Sequence, residues 1–219
     1  MERIEYRNVI DKTDWKRGPW NDEPDKIQWQ DAETGLACLI VRGPVGALCG
    51  YVGVPAGHPF HGLDYGSCPQ SCGGDYCDHR PESSLDAHGG ITFASGCSDL
   101  SRDRWEKWRS RKPELERDAK KYPSGDAAQS LKEWTGCFDN YEAWAERGHA
   151  RFICHTPGPG EPDNTWWFGF DCAHAGDICP SMSRLGLRSM SGDYGEVYRD
   201  IDYVTAECQK LAKQLAARR

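Results

Sequence analysis

The sequence predicts an α+β domain in which an antiparallel sheet is covered by a long C-terminal helix. Two apolar runs, at residues 36–42 and 47–54, flank the turn Gly43-Pro44-Val45-Gly46 and have the pattern of a β-hairpin. A third apolar run, at residues 165–170, is the strongest remaining strand signal. Near the C-terminus, apolar residues recur every three or four positions, as on one stripe of a helix. These patterns favour a single sheet with a helix on one face.

The composition describes a folded protein without a membrane span. The chain has 219 residues, 38% of them hydrophobic, and nine Trp, which is enough apolar surface for one buried core. A formal charge of −7 disfavours nucleic acid as a partner, because an acidic surface repels phosphates. No apolar run approaches the roughly 20 residues that cross a bilayer, and the first six residues lack the apolar stretch of a signal peptide. We therefore expect a cytoplasmic protein.

The domain organisation follows from shifts in composition. Residues 1–34 are polar, with Trp scattered among charges and prolines that interrupt any helix, and they are interpreted as an N-terminal arm. Residues 35–219 are predicted to form a single α+β domain with long irregular loops. Two insertions are expected in this domain, a Cys/His loop at about residues 64–84 and a charged helical region at about residues 99–134.

The charged region begins with a predicted helix. Residues 99–121 carry nine Lys or Arg and six Asp or Glu around two Trp, and Pro113 is expected to end or bend the helix. Charge of both signs at such density is typical of a solvated face that serves solubility. A basic contact surface for phosphates is the alternative.

Shorter elements complete the predicted fold. Residues 90–94 and 151–155 are interpreted as short strands, and residues 139–147 as a helix that ends near Gly148. The C-terminal helix either covers the sheet or forms a homodimer contact. Its apolar stripe consists of Val197, Ile201, Val204, Cys208, Leu211 and Leu215.

Eleven cysteines are an unusually high count. Without an export signal, reduced thiols or metal ligation are favoured over disulfides. Three thiols and one imidazole within twelve residues match the Cys₃His set that structural zinc prefers. These metal candidates are Cys68, Cys72, Cys77 and His79. Their spacing is not that of a standard zinc knuckle, so free thiols in a loop are the alternative.

Two glycine-flanked loops carry the residues that point to chemistry. Residues 88–92 (HGGIT) and 169–177 (GFDCAHAGD) place imidazoles and carboxylates beside apolar strands. These groups bind divalent metals or transfer protons near neutral pH, and glycine allows close approach of a ligand to the backbone. We interpret four of these residues as catalytic, as ligands of a divalent metal or as a general base. They are His88, Asp171, His174 and Asp177.

Other residues of these loops, and of a third segment at residues 58–64, are candidates for substrate binding. Neutral histidines and glycine N–H groups could hold phosphate, and an aromatic ring could stack on a base. The candidates are His58, His61, Gly89, Gly90, Thr92 and Trp167. The loops meet only if the strands after Gly46, at residue 90 and ending at Asp171 are neighbours.

Two alternatives compete with a metal site. A lone His is commonly a hydrogen-bonded loop residue, and an Asp after a strand often caps the next turn. Cys172 could instead be a nucleophile with His174 as its base, although residues two apart on one strand usually point in different directions.

Four ordered segments resemble a family of uncharacterised proteins that bacteriophages and prophages encode. They are residues 38–59, which end in GYVGVPAGHP, residues 88–93 (HGGITF), residues 166–177 (WWFGFDCAHAGD) and residues 198–215. The resemblance covers about half the chain, and the Cys/His loop lies outside it. It implies a phage or prophage origin, the host cytoplasm as the compartment, and a shared site at the His and Asp segments, but no reaction.

The expected function combines this resemblance with the site residues. Phage accessory proteins often act on host defence, so we expect a metal-dependent hydrolase of a small phosphorylated or nucleotide-like molecule that counters defence signalling. Its cofactors would be a divalent metal at the His/Asp site and structural zinc at the Cys/His loop. The alternatives are a non-catalytic module that sequesters nucleotides and a protein inhibitor of a host defence enzyme.

Overall fold

A computed structural model describes the chain at residues 1–43, 45–69, 78–97, 100–128, 130–131, 153–160, 164–181 and 195–218. The chain divides into two compact units. The first contains Met1–Ser98 and Ile153–Arg219, and the second contains Asp99–Phe152. All the elements of the sheet belong to the first unit, and the charged helix belongs to the second.

The first unit is built on a six-stranded antiparallel sheet. Its strands are β1 (Ile4–Tyr6), β2 (Lys26–Gln30), β3 (Ala37–Arg42), β4 (Leu48–Val54), β5 (Phe93–Ser95) and β6 (Trp166–Asp171). Their order across the sheet is β1-β2-β3-β4-β6-β5. The predicted α+β class is confirmed.

Most of the predicted strands are found. Strands β3 and β4 form the expected hairpin, with Arg42 opposite Leu48, and β6 follows the apolar run before residue 171. The segment at residues 1–34, interpreted as an arm, contributes β1 and β2 to the sheet. Its strand character was hidden because β2 alternates polar Lys26 and Gln28 with apolar Ile27 and Trp29, all of which are buried.

The C-terminal helix covers one face of the sheet. It extends over Ile201–Ala216, here called α3, and packs against β3 and β4. Asp200 caps its first turn by accepting a hydrogen bond from the N–H of Tyr203 at 2.9 Å. Four of the six predicted stripe residues are fully buried, namely Val204, Cys208, Leu211 and Leu215. Val197 lies before the helix and is 48% exposed.

The opposite face of the sheet buries a second apolar cluster and several polar groups. The cluster consists of Leu39, Tyr51 and Trp167. Lys26 lies on this face and donates from Nζ to the carbonyl oxygen of Cys154 at 2.7 Å. Burial lowers the pKa of Lys26 from 10.5 to about 8.

The cysteines show one departure from the sequence prediction. Cys97 and Cys154 form a disulfide, with Cα atoms 4.7 Å apart. These residues precede and follow the second unit along the chain, and both belong to the first unit. A pairing between residues separated by 57 positions cannot be read from the local spacing of the cysteines. Cys38, Cys172 and Cys208 are buried thiols, as small hydrophobic residues would be.

In the second unit, the charged helix extends over Leu100–Lys121, here called α2. It continues through Pro113 rather than ending there. A short helix, α1, spans Pro81–Ser84 in the first unit. The helix expected at residues 139–147 lies outside the described residues, as do the first two residues of the strand expected at 151–155. Within the described segments, no helix combines the length and the apolar character needed to cross a bilayer.

Candidate functional site

Strand pairing brings the two glycine-flanked loops together. Strand β5 runs antiparallel to β6, with Phe93 opposite Gly169, so residues 88–92 lie beside the residues that follow β6. Strand β4 pairs with the other edge of β6, with Cys49 opposite Asp171. The condition on which the loops meet, that these three strands are neighbours, is therefore fulfilled.

Three of the predicted catalytic residues form one compact group, here called the His/Asp triad: His88, His174 and Asp177. One potential ligand atom from each residue lies within 4.8 Å of the other two. Nε2 of His88 is 2.7 Å from Oδ2 of Asp177, and Nδ1 of His174 is 3.7 Å from the same oxygen. The two imidazole rings meet edge to face with centroids 5.4 Å apart. His88 thus shares one site with two residues that lie 86 and 89 positions further along the chain.

Asp177 is the centre of this group. Its side chain is 2% exposed, and its Oδ2 accepts hydrogen bonds from Nε2 of His88 and the backbone N–H of His174. Its Oδ1 accepts from Nε of Arg199 at 2.9 Å. Burial raises the pKa of the Asp177 carboxyl, but the hydrogen bonds from Arg199, His88 and His174 outweigh it, so the pKa lies below 3.8. The carboxylate is therefore charged at neutral pH.

His174 is positioned by a glycine that allows very close contact. Gly89 has a positive φ of 68°, and a Cβ atom at this position would overlap the His174 ring. Nδ1 of His174 is buried and has no hydrogen-bond partner among the described residues. Its side chain as a whole is 36% exposed. The ring therefore presents a buried nitrogen to Asp177 and retains access to solvent.

Arg199 and Tyr203 also belong to the site, although neither is among the site residues predicted from the sequence. The hydroxyl of Tyr203 lies 2.9 Å from Nδ1 of His88, and the Arg199 guanidinium lies 4.7 Å from the centroid of the Tyr203 ring. Both residues fall within the segment at 198–215, in which only the apolar stripe of a helix was predicted. Their four-residue spacing at the start of a helix, with one cation and one hydroxyl, was the available signal.

Two sets of contacts hold the start of α3 against the site. The backbone of Val197 pairs with residues 176–178 in a short parallel bridge, which places the chain before α3 next to Asp177. The hydroxyl of Tyr198 accepts a hydrogen bond from the fully buried Arg42 at 2.8 Å. The chain is therefore anchored at the two residues that directly precede Arg199.

The donor set of the His/Asp triad fits a transition metal. Two imidazole nitrogens and one carboxylate oxygen are ligands of catalytic zinc sites, and also of non-haem iron sites, both of which leave positions for water or substrate. The outer contacts fit as well, because Tyr203 hydrogen-bonds the second nitrogen of His88 and Arg199 holds the second oxygen of Asp177. The buried Nδ1 of His174, which no described residue hydrogen-bonds, is the atom that an ion would satisfy.

Asp171 and Thr92 form a separate contact beside the His/Asp triad. The Thr92 hydroxyl donates to Oδ2 of Asp171 at 3.1 Å, and Oδ1 accepts from the N–H of Ala173. This second bond is the local turn that the alternative interpretation of an Asp after a strand predicts. Asp171 is therefore near the site in sequence but is not one of its three convergent ligands.

His58 does not reach the site. Its Nδ1 accepts from the N–H of Phe60, so its Nε2 donates to the carbonyl oxygen of Leu215, 3.0 Å away, at the end of α3. Leu215 is twelve residues from Tyr203, or about 18 Å along the helix. The reason is topological: His58 follows the end of β4, and Asp171 pairs with its start.

His61 and Trp167 are also placed away from the site. Nε2 of His61 lies 2.7 Å from the carbonyl oxygen of Asn164, which precedes β6. Trp167 is fully buried in the cluster on the other face of the sheet and cannot stack on a ligand. Of the other predicted binding residues, Gly90 borders the site, with a positive φ of 93° and open space at its Cβ position.

The nucleophile alternative for Cys172 is wrong. The thiol is 1% exposed and points into the main core. Burial raises its pKa, and the charge of Asp177 raises it further. A buried, protonated thiol neither reaches a substrate nor attacks it.

The predicted zinc set lies partly outside the described residues, because Cys72 and Cys77 fall there and only Cys68 and His79 are described. A different group of ligand-type residues, Cys97, Cys154 and His155, also clusters. Its two sulfur atoms are joined in the disulfide, so neither is a thiolate that could bind a metal.

Comparisons with protein-family models, with curated proteins and with solved structures find no match to this chain. The functional conclusion therefore depends on the chemistry of the site.

Proposed function

We propose that the protein is a metal-dependent hydrolase of a small phosphorylated or nucleotide-like molecule, with a divalent ion bound by His88, His174 and Asp177. One observation carries the proposal: an imidazole nitrogen from each of two loops and a buried carboxylate oxygen converge within 4.8 Å. Three protein ligands leave at least one position for water on a tetrahedral ion. Zinc bound in this way lowers the pKa of water to about 7, which supplies hydroxide at neutral pH.

The remaining residues of the site have supporting roles in this proposal. Tyr203 orients His88 through Nδ1, and Arg199 holds the second oxygen of Asp177. Gly89 gives His174 the room to approach the other two ligands. Such outer contacts typically contribute 10-fold to 100-fold to metal affinity or activity.

The biological role follows from the resemblance to phage-encoded proteins. A small hydrolase of nucleotide-like molecules would serve a phage by destroying a host defence signal. This assignment is an analogy with the family context.

A metal-free module that sequesters a nucleotide is the second candidate, and one observation favours it. Asp177 is already neutralised by its own neighbours, because Arg199 is an ion-pair partner and His88 and His174 donate hydrogen bonds. An anionic ligand could therefore approach the site without an ion.

Elemental analysis of the purified protein tests the first candidate. We expect one zinc or other divalent ion that is lost in His174→Ala and retained in His61→Ala, a matched histidine outside the site. Cys72→Ala reports any separate ion in the Cys/His loop. If His174→Ala folds and keeps the full metal content of the wild type, the metal site is wrong.

A panel of cyclic and linear nucleotides then separates the two candidates. The metal-loaded protein is incubated with each nucleotide, and the products are resolved by chromatography before and after heating. Cleaved nucleotide supports the hydrolase. Intact nucleotide released only on heating supports sequestration and contradicts hydrolysis.

A further inference from the structure

Arg199 is fixed in place by two contacts that leave most of its donors open. Its Nε donates to Oδ1 of Asp177 at 2.9 Å, and its Cζ lies over the Tyr203 ring, 4.7 Å from the ring centroid. An arginine has five N–H donors, of which Nε supplies one. The terminal Nη groups hydrogen-bond no residue in the described part of the chain. The side chain is 27% exposed, so it is partly accessible to a ligand.

The charge of Arg199 is permanent in this setting. An arginine guanidinium stays protonated in proteins at neutral pH. The hydrogen bond to Asp177 raises its pKa further, and the negative charge of Asp177 acts in the same direction. Asp177 uses its two oxygens for Arg199, His88 and His174. The guanidinium therefore keeps local positive charge on the side that faces away from Asp177.

Open space lies next to the site at two glycine turns. A Cβ atom at Gly90 or at Gly176 would meet nothing within 4 Å, although Gly89 between His88 and Gly90 is tightly packed. Gly176 directly precedes Asp177, and Gly90 follows His88 by two residues. The turns that carry two members of the His/Asp triad thus leave room for a small ligand.

We propose that Arg199 is the anion-binding residue of this site and that its Nη groups hold a phosphoryl group of the ligand. A guanidinium whose plane is fixed matches two phosphoryl oxygens with two parallel hydrogen bonds, which an ammonium cannot do. A phosphoryl group carries up to two negative charges, so its electrostatic attraction to this cation is stronger than that of a carboxylate, which carries one. The inference deepens the proposed function, since it names the group of the substrate that the site recognises.

Binding of inorganic phosphate tests the proposal. Isothermal titration calorimetry measures the affinity of the protein for phosphate, in metal-loaded and in EDTA-treated form. The affinities of the wild type, Arg199→Lys and Arg199→Gln are then compared. The loss of one charge-assisted hydrogen-bond pair predicts that Arg199→Lys binds phosphate about tenfold more weakly or worse. Arg199→Gln, which also loses the charge, should bind more weakly still.

Arg218 provides the matched control. It lies at the other end of α3, stacks over the Phe60 ring at 5.5 Å and donates to the carbonyl of Ser84. Arg218→Lys should leave phosphate affinity unchanged. Circular dichroism and metal content of each variant separate a lost contact from a lost fold or a lost ion.

The outcomes of this test are independent of those for the proposed function. A protein without metal overturns the hydrolase, yet phosphate binding by the EDTA-treated form that depends on Arg199 still supports this inference. Equal phosphate affinity in wild type and Arg199→Lys overturns the inference, even if the metal is present. Acetate that binds as tightly as phosphate also overturns it.

Discussion

Nε2 of His88 lies 2.7 Å from Oδ2 of Asp177, and this contact joins two loops that are 89 residues apart in the chain. His88 precedes β5 and Asp177 follows β6, so the contact depends on the antiparallel pairing of these two strands. It places an imidazole against a carboxylate that is only 2% exposed. The contact is therefore both a support of the fold and the centre of the proposed site.

Asp177→Asn should abolish metal binding and weaken the fold. The amide loses the charge that pairs with Arg199. Its NH₂ group cannot accept a hydrogen bond, so at least one of the three present donors loses its partner. We expect metal affinity to fall more than about 100-fold. The free energy of unfolding should fall by about 1–3 kcal/mol. Titration with zinc and urea denaturation measure the two effects.

Asp171→Asn is the matched control for this variant. Asp171 is also an aspartate at the end of β6, but its partners are Thr92 and Ala173. The metal affinity of Asp171→Asn should equal that of the wild type. Equal losses in both variants would show that a general effect of charge, and not ligation by Asp177, explains the change.

Gly89→Ala should displace His174 from the His/Asp triad. The added methyl group would overlap the His174 ring, and φ at Gly89 is +68°, which also disfavours alanine. Gly90→Ala is the comparison, because its φ of +93° brings similar backbone strain with open space at the Cβ position. We expect the affinity for Co²⁺ to fall more in Gly89→Ala than in Gly90→Ala. The visible absorption of bound Co²⁺ measures this affinity. Equal losses in the two variants contradict direct packing of His174 on Gly89.

The sequence predicts the parts of this molecule whose signals are local. The hairpin of β3 and β4 and the stripe of α3 were readable because each has a continuous apolar period over several residues. The loops at His88 and Asp177 were expected to meet only if their strands are neighbours, and the pairing of β4, β6 and β5 fulfils this condition. Strand β2 was missed because its buried Lys26 and Gln28 are satisfied by a segment more than 120 residues away.

The site was only partly predictable for the same reason. His58 looked equivalent to His88 because both are histidines near a glycine and a strand. However, His58 follows the end of β4 and His88 precedes the start of β5, and these two strand ends lie toward opposite ends of β6. Trp167 looked like a stacking residue because sequence does not show which face of β6 a ring occupies. Arg199 was overlooked because its role depends on a bridge between Val197 and Asp177 that no local pattern encodes.

Reduction of the Cys97–Cys154 disulfide should lower the stability of the first unit. The bond closes a loop with a sequence separation of 57 residues, for which the entropy of loop closure predicts about 4 kcal/mol, and measured values usually lie nearer 2–4 kcal/mol. Urea denaturation with and without a phosphine reductant measures the loss. A Cys97→Ser/Cys154→Ser double variant should be less stable than the wild type and insensitive to reductant. If the reductant destabilises this variant as much as the wild type, another disulfide is responsible.

Lys26 should make the stability of the fold depend on pH in the alkaline range. Burial lowers its pKa from 10.5 to about 8, so between these values the unfolded chain binds more protons than the folded chain. The free energy of unfolding therefore rises with pH through this window, by up to about 3 kcal/mol, because the cost of a buried charge disappears. Buried thiols act in the opposite direction, since burial raises the pKa of Cys38 to about 12 and the unfolded chain ionises first.

Comparison of variants isolates the lysine from the thiols. Lys26→Met fills a similar volume without charge, so its stability relative to wild type should be greatest near pH 7 and shrink as pH rises to 10. Lys213→Met is the control, because it removes an exposed lysine that pairs with Glu33. The difference in the free energy of unfolding between Lys213→Met and wild type should not show this decrease between pH 7 and pH 10. Urea denaturation of the three proteins at pH 7, 8.5 and 10 gives the differences. A constant difference between Lys26→Met and wild type would mean that Lys26 titrates alike in the folded and unfolded chains, which its complete burial beneath Cys154 and Tyr6 argues against.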